Sequence, residues 1–182
     1  MSDAIQVRTL HAIGEREIQE LSDVLIDCVE GGASVSFMLP ITRDTAVAFW
    51  RGVAAGVERR ERILLIALDT AVPAASAVSA APIIGTVQII FAQVENQPHR
   101  ADIAKMLVHR RARRHGVGAA LLAAAERAAQ SAGKTLLVLD TASGDAERLY
   151  AKLGWQRCGV IPGYALLPGG GLCDTTFFYR SL

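Results

Sequence analysis

Residues 100–141 constrain the fold more than any other part of this chain. RADIAKMLVH (Arg100–His109) alternates apolar and polar residues, the pattern of a strand, and predicts that Asp102, Ala104, Met106 and Val108 share one face. VGAALLAAAERAAQSA, ending at Gly133, is a strong helix former. TLLVLDTA stays apolar until Asp140, as in a strand covered on both faces. Strand, helix, strand in that order demands a helical crossover, which makes the two strands parallel and lays the helix over the sheet.

The rest of the chain adds antiparallel material. IQVRTL (Ile5–Leu10) reads as a first strand. Ile18, Leu21, Val24, Leu25, Cys28 and Val29 recur at helical spacing up to Gly31-Gly32. GGASVSFMLP is a loop, and Asp44 is expected to start a second helix through Val47, Phe49, Trp50, Val53 and Val57. RILLIALD and PIIGTVQIIFAQ form a hairpin pair, GDAERLYAKLG a short helix with Ala146, Leu149 and Leu153 on its apolar side, and WQRCGVIPGYALL and CDTTFFYRSL two final strands. The uncharged stretch between Asp69 and Glu95 is long enough for a bilayer, but Pro73, Pro82 and several polar residues break it into two strands joined by the loop AVPAASAVSAAP. The predicted architecture is a single α/β (α+β) domain over residues 1–182, with a mixed sheet flanked by helices.

Between the central strand and helix lies RRARRHGVG, Arg110–Gly118. Four arginines suggest an anion, yet 19 basic against 18 acidic residues leave a net charge of only +1. That excludes a general nucleic-acid binder, whose affinity rests on many phosphate contacts. A small anion fits better, because a helix N-terminus offers unpaired N–H groups and partial positive charge. Gly116 and Gly118 let the backbone approach it. A Walker loop is ruled out, since Ala119 and Ala120 stand where a lysine and a hydroxyl are needed, and Leu121 replaces the third glycine of a dinucleotide fingerprint. Arg110 and Arg111 are expected only to face water. Cys28, Cys158 and Cys173 contain no CxxC pair and fit neither a disulfide framework nor a zinc site, so no metal is expected and a reducing cytoplasm is the natural compartment. The opening MSDAIQVRTL lacks the long apolar run of a secretory signal.

Arg113-Arg114-His115-Gly116-Val117-Gly118 matches (Q/R)-x-x-G-x-(G/A), and AERLYAKLGW matches A-x-x-L-Y-x-K-x-G-F with Trp155 for Phe. Together, in a strand–turn–helix–strand setting, these strings resemble the GNAT acetyltransferase superfamily from about Pro82 to Leu182. GGASVSFM, RADIAKMLV, LDTASG and PGYALLPGGGL further resemble its tabtoxin-resistance branch over nearly the full length. The resemblance implies the GNAT fold, with a mostly antiparallel sheet whose central parallel pair splays apart, and acetyl-CoA as cofactor. It implies that backbone N–H groups of Arg113, Arg114, His115, Gly116, Val117, Gly118 and Ala119 meet the pyrophosphate. The pantetheine arm would then run along Met106, Leu107 and Val108 like an added strand, with Ser143 and Lys152 nearby. Many relatives carry Asn where Ser143 stands.

The implied chemistry is attack of an amine on a thioester, which needs an acid for the departing thiolate and a base for the amine. Tyr150 matches the family tyrosine that faces the sulfur; the plain alternative is a packed aromatic. Asp102 precedes Arg113 by eleven residues, the offset of a family carboxylate, and otherwise sits in an ion pair with Arg100 or Lys105. Asp140 either serves the amine or caps a turn. Ser34, Phe37, Met38, Asp140 and Tyr164 are candidates for the acceptor side, against ordinary loop packing. His11, His99 and His109 receive no role. The expected function is acetyl transfer to a small-molecule primary amine, in its sharpest form a toxin of the tabtoxinine-β-lactam type, by a monomer or homodimer without nucleic-acid or membrane partners. The rivals are a protein N-terminal or lysine acetyltransferase and a non-catalytic acyl-CoA-binding sensor.

Overall fold

The computed structural model describes residues 4–71 and 81–182, so most of the alanine-rich loop, residues 72–80, lies outside the described residues. In chain order the elements are β1 (Ile5–Leu10), α1 (Glu15–Glu30), α2 (Arg43–Glu58), β2 (Arg62–Asp69), β3 (Ile83–Phe91), β4 (Arg100–Val108), a 3-10 turn at Arg110–Ala112, α3 (Val117–Ser131), β5 (Leu136–Thr141), α4 (Gly144–Lys152), β6 (Gln156–Leu166) and β7 (Leu172–Ser181). The strands form one sheet in the order β1-β2-β3-β4-β5-β7-β6. Every pairing is antiparallel except β4 with β5.

Two apolar layers hold the sheet. One face, with Leu65, Val87, Ile89, Ala101, Ile103, Leu137 and Leu139, packs under Leu121, Leu122, Ala125 and Ala129 of α3 and Tyr150 of α4. The other, with Leu64, Ile66, Leu68 and Leu107, packs under α1 and α2, where Trp50 is wholly buried. Trp155, just past α4, is buried and its indole N–H donates to Glu126 at 2.8 Å, so its polar group is satisfied.

Three local expectations need correction. Thr42, not Asp44, caps α2: its Oγ1 accepts from the Thr45 N–H at 3.1 Å, as an N-cap hydroxyl does for an orphan donor. Burial of β5 is one-sided: Leu137 and Leu139 are buried while Leu136 and Val138 are only half-buried. The apolar layer under α1 and α2 takes residues from β2, β3 and β4 and, among the described residues, none from β5. The third correction matters most for the site. Asp102, Ala104, Met106 and Val108 do not share a face. Thr86 pairs with Leu107 and Gln88 with Ala104, so Lys105 and Met106 both stand opposite Val87. This is a β-bulge, with Lys105 at φ 47°. The extra residue reverses the alternation: Met106 and Val108 join Ala101 and Ile103 on the α3 face, while Leu107 joins the α1/α2 face.

Gly85 of β3 seats α3 against the sheet. A Cβ there would stand 2.9 Å from the Leu107 carbonyl oxygen and 3.1 Å from Leu121 Cδ1 and Val117 Cγ1. Gly85→Ala is expected to lower stability by about 1–3 kcal/mol through overpacking, read as a lower urea midpoint with unchanged slope.

Candidate active site

The turn between β4 and α3 is built to leave helix donors open. His109 follows β4, its N–H bonded to the Ile84 carbonyl at 2.9 Å, and its Nδ1 accepts from the Arg111 N–H, starting the 3-10 turn. Arg114 (φ 65°) and Gly116 (φ 84°) then take left-handed backbone to aim the chain into α3. The first turn of this fifteen-residue helix carries no acidic side chain, so its leading N–H groups and partial positive charge remain available to an external anion. A Cβ at Gly116 would meet nothing within 4 Å, whereas one at Gly118 would press on Leu149 Cδ2 at 3.1 Å. Gly116 thus borders open space and Gly118 permits α3 to pack on α4. His115 is exposed and Val117 buried.

The arginines divide their work differently from the sequence expectation. Arg110 does not merely face water: its N–H and Nε donate to Asp27 of α1 at 2.7 and 2.9 Å. Burial alone would raise the Asp27 carboxyl, but these bonds and the neighbouring His109 outweigh it and hold the pKa below the ordinary aspartate value. The basic turn is therefore tied to α1. Arg113 Nε donates to the Val108 carbonyl at 3.2 Å, bracing the end of β4. A cavity of 350 Å³ beside this anchor is lined by Glu20, Asp23, Asp27 and Glu30 as well as His109 and Arg111; with four carboxylates it suits phosphate less well than the α3 terminus does.

Beyond the turn the two parallel strands part. β5 pairs with β4 only at Arg100, Ala101 and Asp102, and past Asp102 the ladder stops. The gap opens towards the α3 terminus, beside Met106, Leu107 and Val108. Tyr150 of α4 enters it from one side: its hydroxyl lies 3.9 Å from Met106 Sδ, a weak acceptor. The ring packs on Trp155 and Phe178, with centroids 5.9 and 5.7 Å away. Burial, assisted by the Asp140 charge, pushes the phenol well above the usual tyrosine value, so it stays protonated. Ser143, four residues before Glu147, caps α4 by accepting from the Ala146 N–H at 3.4 Å. Lys152 is exposed in the last turn of α4.

The two aspartates separate. Asp102 sits at the last paired position of β4, 3.3 Å from Arg100. Asp140 lies past the opening, on the α2 side of β5, and is within 4 Å of no cation among the described residues; Ser143, and not Asp140, is the helix cap. Burial raises both carboxyls; Arg100 counters this at Asp102 and Lys105 counters it at Asp140, and Asp140 adds a further upward push on Asp102.

On the α2 side of the opening is a pocket of 270 Å³. Ser34, Phe37, Met38, Asp140 and Tyr164 all border it, together with Ser36, Ala142 and Thr175, which sequence reasoning did not single out. Asp102 does not border it. The loop after α1 forms one wall because it is pinned at both ends. Ser34 Oγ donates to the Leu166 carbonyl at 3.2 Å and the Leu39 N–H to the Pro168 carbonyl at 2.9 Å. Between them Phe37 packs edge-on against Phe49 of α2 at 5.2 Å. Tyr164 stands across the pocket, edge-on to Phe177, and remains half exposed. Lys105 also reaches this side, its Nζ donating to Ser36 Oγ at 3.2 Å. No pattern in the sequence marks Lys105, since only the bulge turns it here.

Similarity to known proteins agrees with this geometry. The sequence model of the "Acetyltransferase (GNAT) family" matches residues 39–155. Among solved structures, yncA from Salmonella typhimurium, determined with its cofactor acetyl-CoA, superposes with a TM-score of 0.75 at 17% identity, covering 99% of this chain and 95% of that one. The ribosomal-protein-alanine N-acetyltransferase of Brucella melitensis gives 0.72 at 20% identity, over 97% and 99%. A structure assigned as a phosphinothricin N-acetyltransferase gives 0.74 at 18%, over 98% and 99%. At these identities the likeness is one of fold.

Proposed function

The chain belongs to the acetyltransferase (GNAT) family and uses acetyl-CoA, and from that premise we propose that it acetylates the primary amine of a small molecule held in the pocket beside Asp140. The observation that carries the acceptor class is the pinned wall of residues 34–39. It forms one side of a pocket of 270 Å³, a volume that suits an amino-acid-sized molecule. The strings that resemble the tabtoxin-resistance branch supply this pocket: Ser34, Phe37 and Met38 from GGASVSFM, Asp140 and Ala142 from LDTASG, Tyr164, Ala165 and Leu166 from PGYALL. That coincidence supports an amino-acid-like toxin as acceptor and a role in toxin resistance.

Acetyl-CoA supplies an activated acetyl thioester. In this reading the N–H groups from Arg114 to Ala119 would hold its pyrophosphate, the Arg113 N–H being bonded to the Arg110 carbonyl at 3.3 Å, and the free edge of Met106–Val108 would line its arm. Ser143 and Lys152, at the two ends of α4, would contact the cofactor from that helix. Tyr150 holds a proton at its hydroxyl and gives it to the departing sulfur. Asp140 orients the ammonium of the acceptor and takes the proton the amine must lose; Asp102, tied to Arg100, is the less suited base. Both transfers occur in a partly dry cleft, where a poised acid and base each contribute strongly.

Asp140 gives this reading its pH test. A base must be ionised, so turnover should rise with pH through a pKa above the ordinary aspartate value of about 3.9, in the direction that burial moves it. Asp140→Asn should lower kcat by roughly a hundredfold and erase that acid limb. A full-rate variant with an unchanged pH profile of thiol release would remove Asp140 from the mechanism.

A further inference from the structure

Ser36 and Lys105 are two of the few non-glycine residues with left-handed backbone, at φ 73° and 47°. They lie 69 positions apart and their side chains meet, Lys105 Nζ donating to Ser36 Oγ at 3.2 Å. Such backbone is disfavoured and persists where surrounding structure forces it, commonly at ligand sites. Here the β4 bulge forces Lys105 towards α2, where its ammonium stands 5.9 Å from the centre of the Phe49 ring. An ammonium has three donors. One goes to Ser36, and no carboxylate lies within 4 Å of the nitrogen among the described residues.

One charge lines the pocket and a second stands just behind its wall; the two feel each other's field but form no ion pair within 4 Å among the described residues. Asp140 projects from the end of β5, and Lys105 stands behind Ser36, which itself lines the pocket. A rigid site with one fixed anion and one fixed cation is complementary to a zwitterion, and it rejects a molecule that offers only positive charge. We propose that Lys105 and Ser36 form a carboxylate subsite, so that the acceptor is an amine that also bears a carboxylate, bound by its ammonium at Asp140 and by its carboxylate at the bulge. The inference rests on the reading of this pocket as the acceptor site. Lys105 and Ser36 are specificity-determining residues in it, without a part in proton transfer.

The test compares matched acceptors: the standard L-amino acids and the amines left when each loses its carboxylate, assayed by thiol release from acetyl-CoA. Wild-type protein should acetylate at least one amino acid with a kcat/KM roughly tenfold or more above its decarboxylated partner, the worth of one charge-assisted hydrogen bond. Lys105→Met should collapse that preference, mainly by raising KM for the amino acid, and Lys105→Arg should restore part of it. Ser36→Ala, which leaves the bulge untouched, should reduce the preference by a smaller factor and carries the test if Lys105→Met fails to fold. A preference that survives in both variants, or a wild-type enzyme that acetylates both members of each pair equally, overturns the subsite while leaving small-amine acetylation intact. If acetyl-CoA binds but no member of either set is acetylated, and no amino-acid-like toxin assayed beside its decarboxylated amine is either, the acceptor reading and the subsite fall together.

Discussion

Gly116→Glu is expected to weaken acetyl-CoA binding by roughly a hundredfold or more, the worth of one or two charge-assisted hydrogen bonds. The argument is geometric. Gly116 has φ 84° and no neighbour within 4 Å of where its Cβ would be. A side chain there clashes with nothing in the protein and costs about 1–2 kcal/mol for left-handed backbone. Its carboxylate would lie at the N-terminus of α3, a favourable place for an anion. The fold is therefore expected to survive, and the glutamate to occupy the ground that the pyrophosphate needs. Gly116→Ala separates the two effects, because it keeps the backbone strain and adds no charge; its affinity should fall far less. Calorimetric titration of both variants with acetyl-CoA checks the assignment, and a glutamate variant of wild-type affinity would place the pyrophosphate elsewhere.

Tyr150→Phe is expected to lower kcat by about a hundredfold, the usual worth of a positioned general acid, with little change in acetyl-CoA affinity. The substitution is clean for a structural reason. The ring is 4% exposed and packs on Trp155 and Phe178, and phenylalanine keeps that packing. The hydroxyl's hydrogen bond goes to a thioether 3.9 Å away, so its removal strands no strong buried partner. Stability should change little, unlike Tyr150→Ala, which would open a cavity at a cost of about 3–5 kcal/mol. Because burial and Asp140 both push the phenol upward, the wild-type acid stays protonated throughout the neutral range, and loss of its proton does not limit turnover there. Single-turnover kinetics isolate the step; an unaltered rate would assign the proton to another donor.

The two elements most legible in the sequence were those whose periodicity is set locally. The α3 run and its stop at Gly133, and the apolar β5, follow from side-chain spacing and glycine placement, and the parallel β4/β5 pair follows from the crossover between them. The glycine-bearing turn before α3 was legible for the same reason, since such a turn before a long helix needs no tertiary information. What failed to show were the features decided by contact. The bulge at Lys105 arises from the register of β4 on β3, and no residue type announces it. One inserted position moved Met106 and Val108 to the opposite face from Asp102 and delivered a lysine to the α2 side. Arg110 looked like a solvated charge because its partner Asp27 lies 83 positions away. Ser34, Phe37, Met38 and Tyr164 could be nominated individually, but their meeting around one pocket depends on a loop after α1 docking on the β6–β7 hairpin.

The central claim is that the cleft between β4 and β5 joins acetyl-CoA on the α3 side to a small amine on the α2 side. The direct measurement is release of free thiol from acetyl-CoA in the presence of amino acids, amine toxins and polyamines, with mass spectrometry of the acceptor. Thiol release is expected to require an acceptor, to saturate with it, and to yield an N-acetylated product in equal amount. Acetyl-CoA binding without any acceptor-dependent thiol release, or acetylation confined to protein N-termini and lysines, would contradict it.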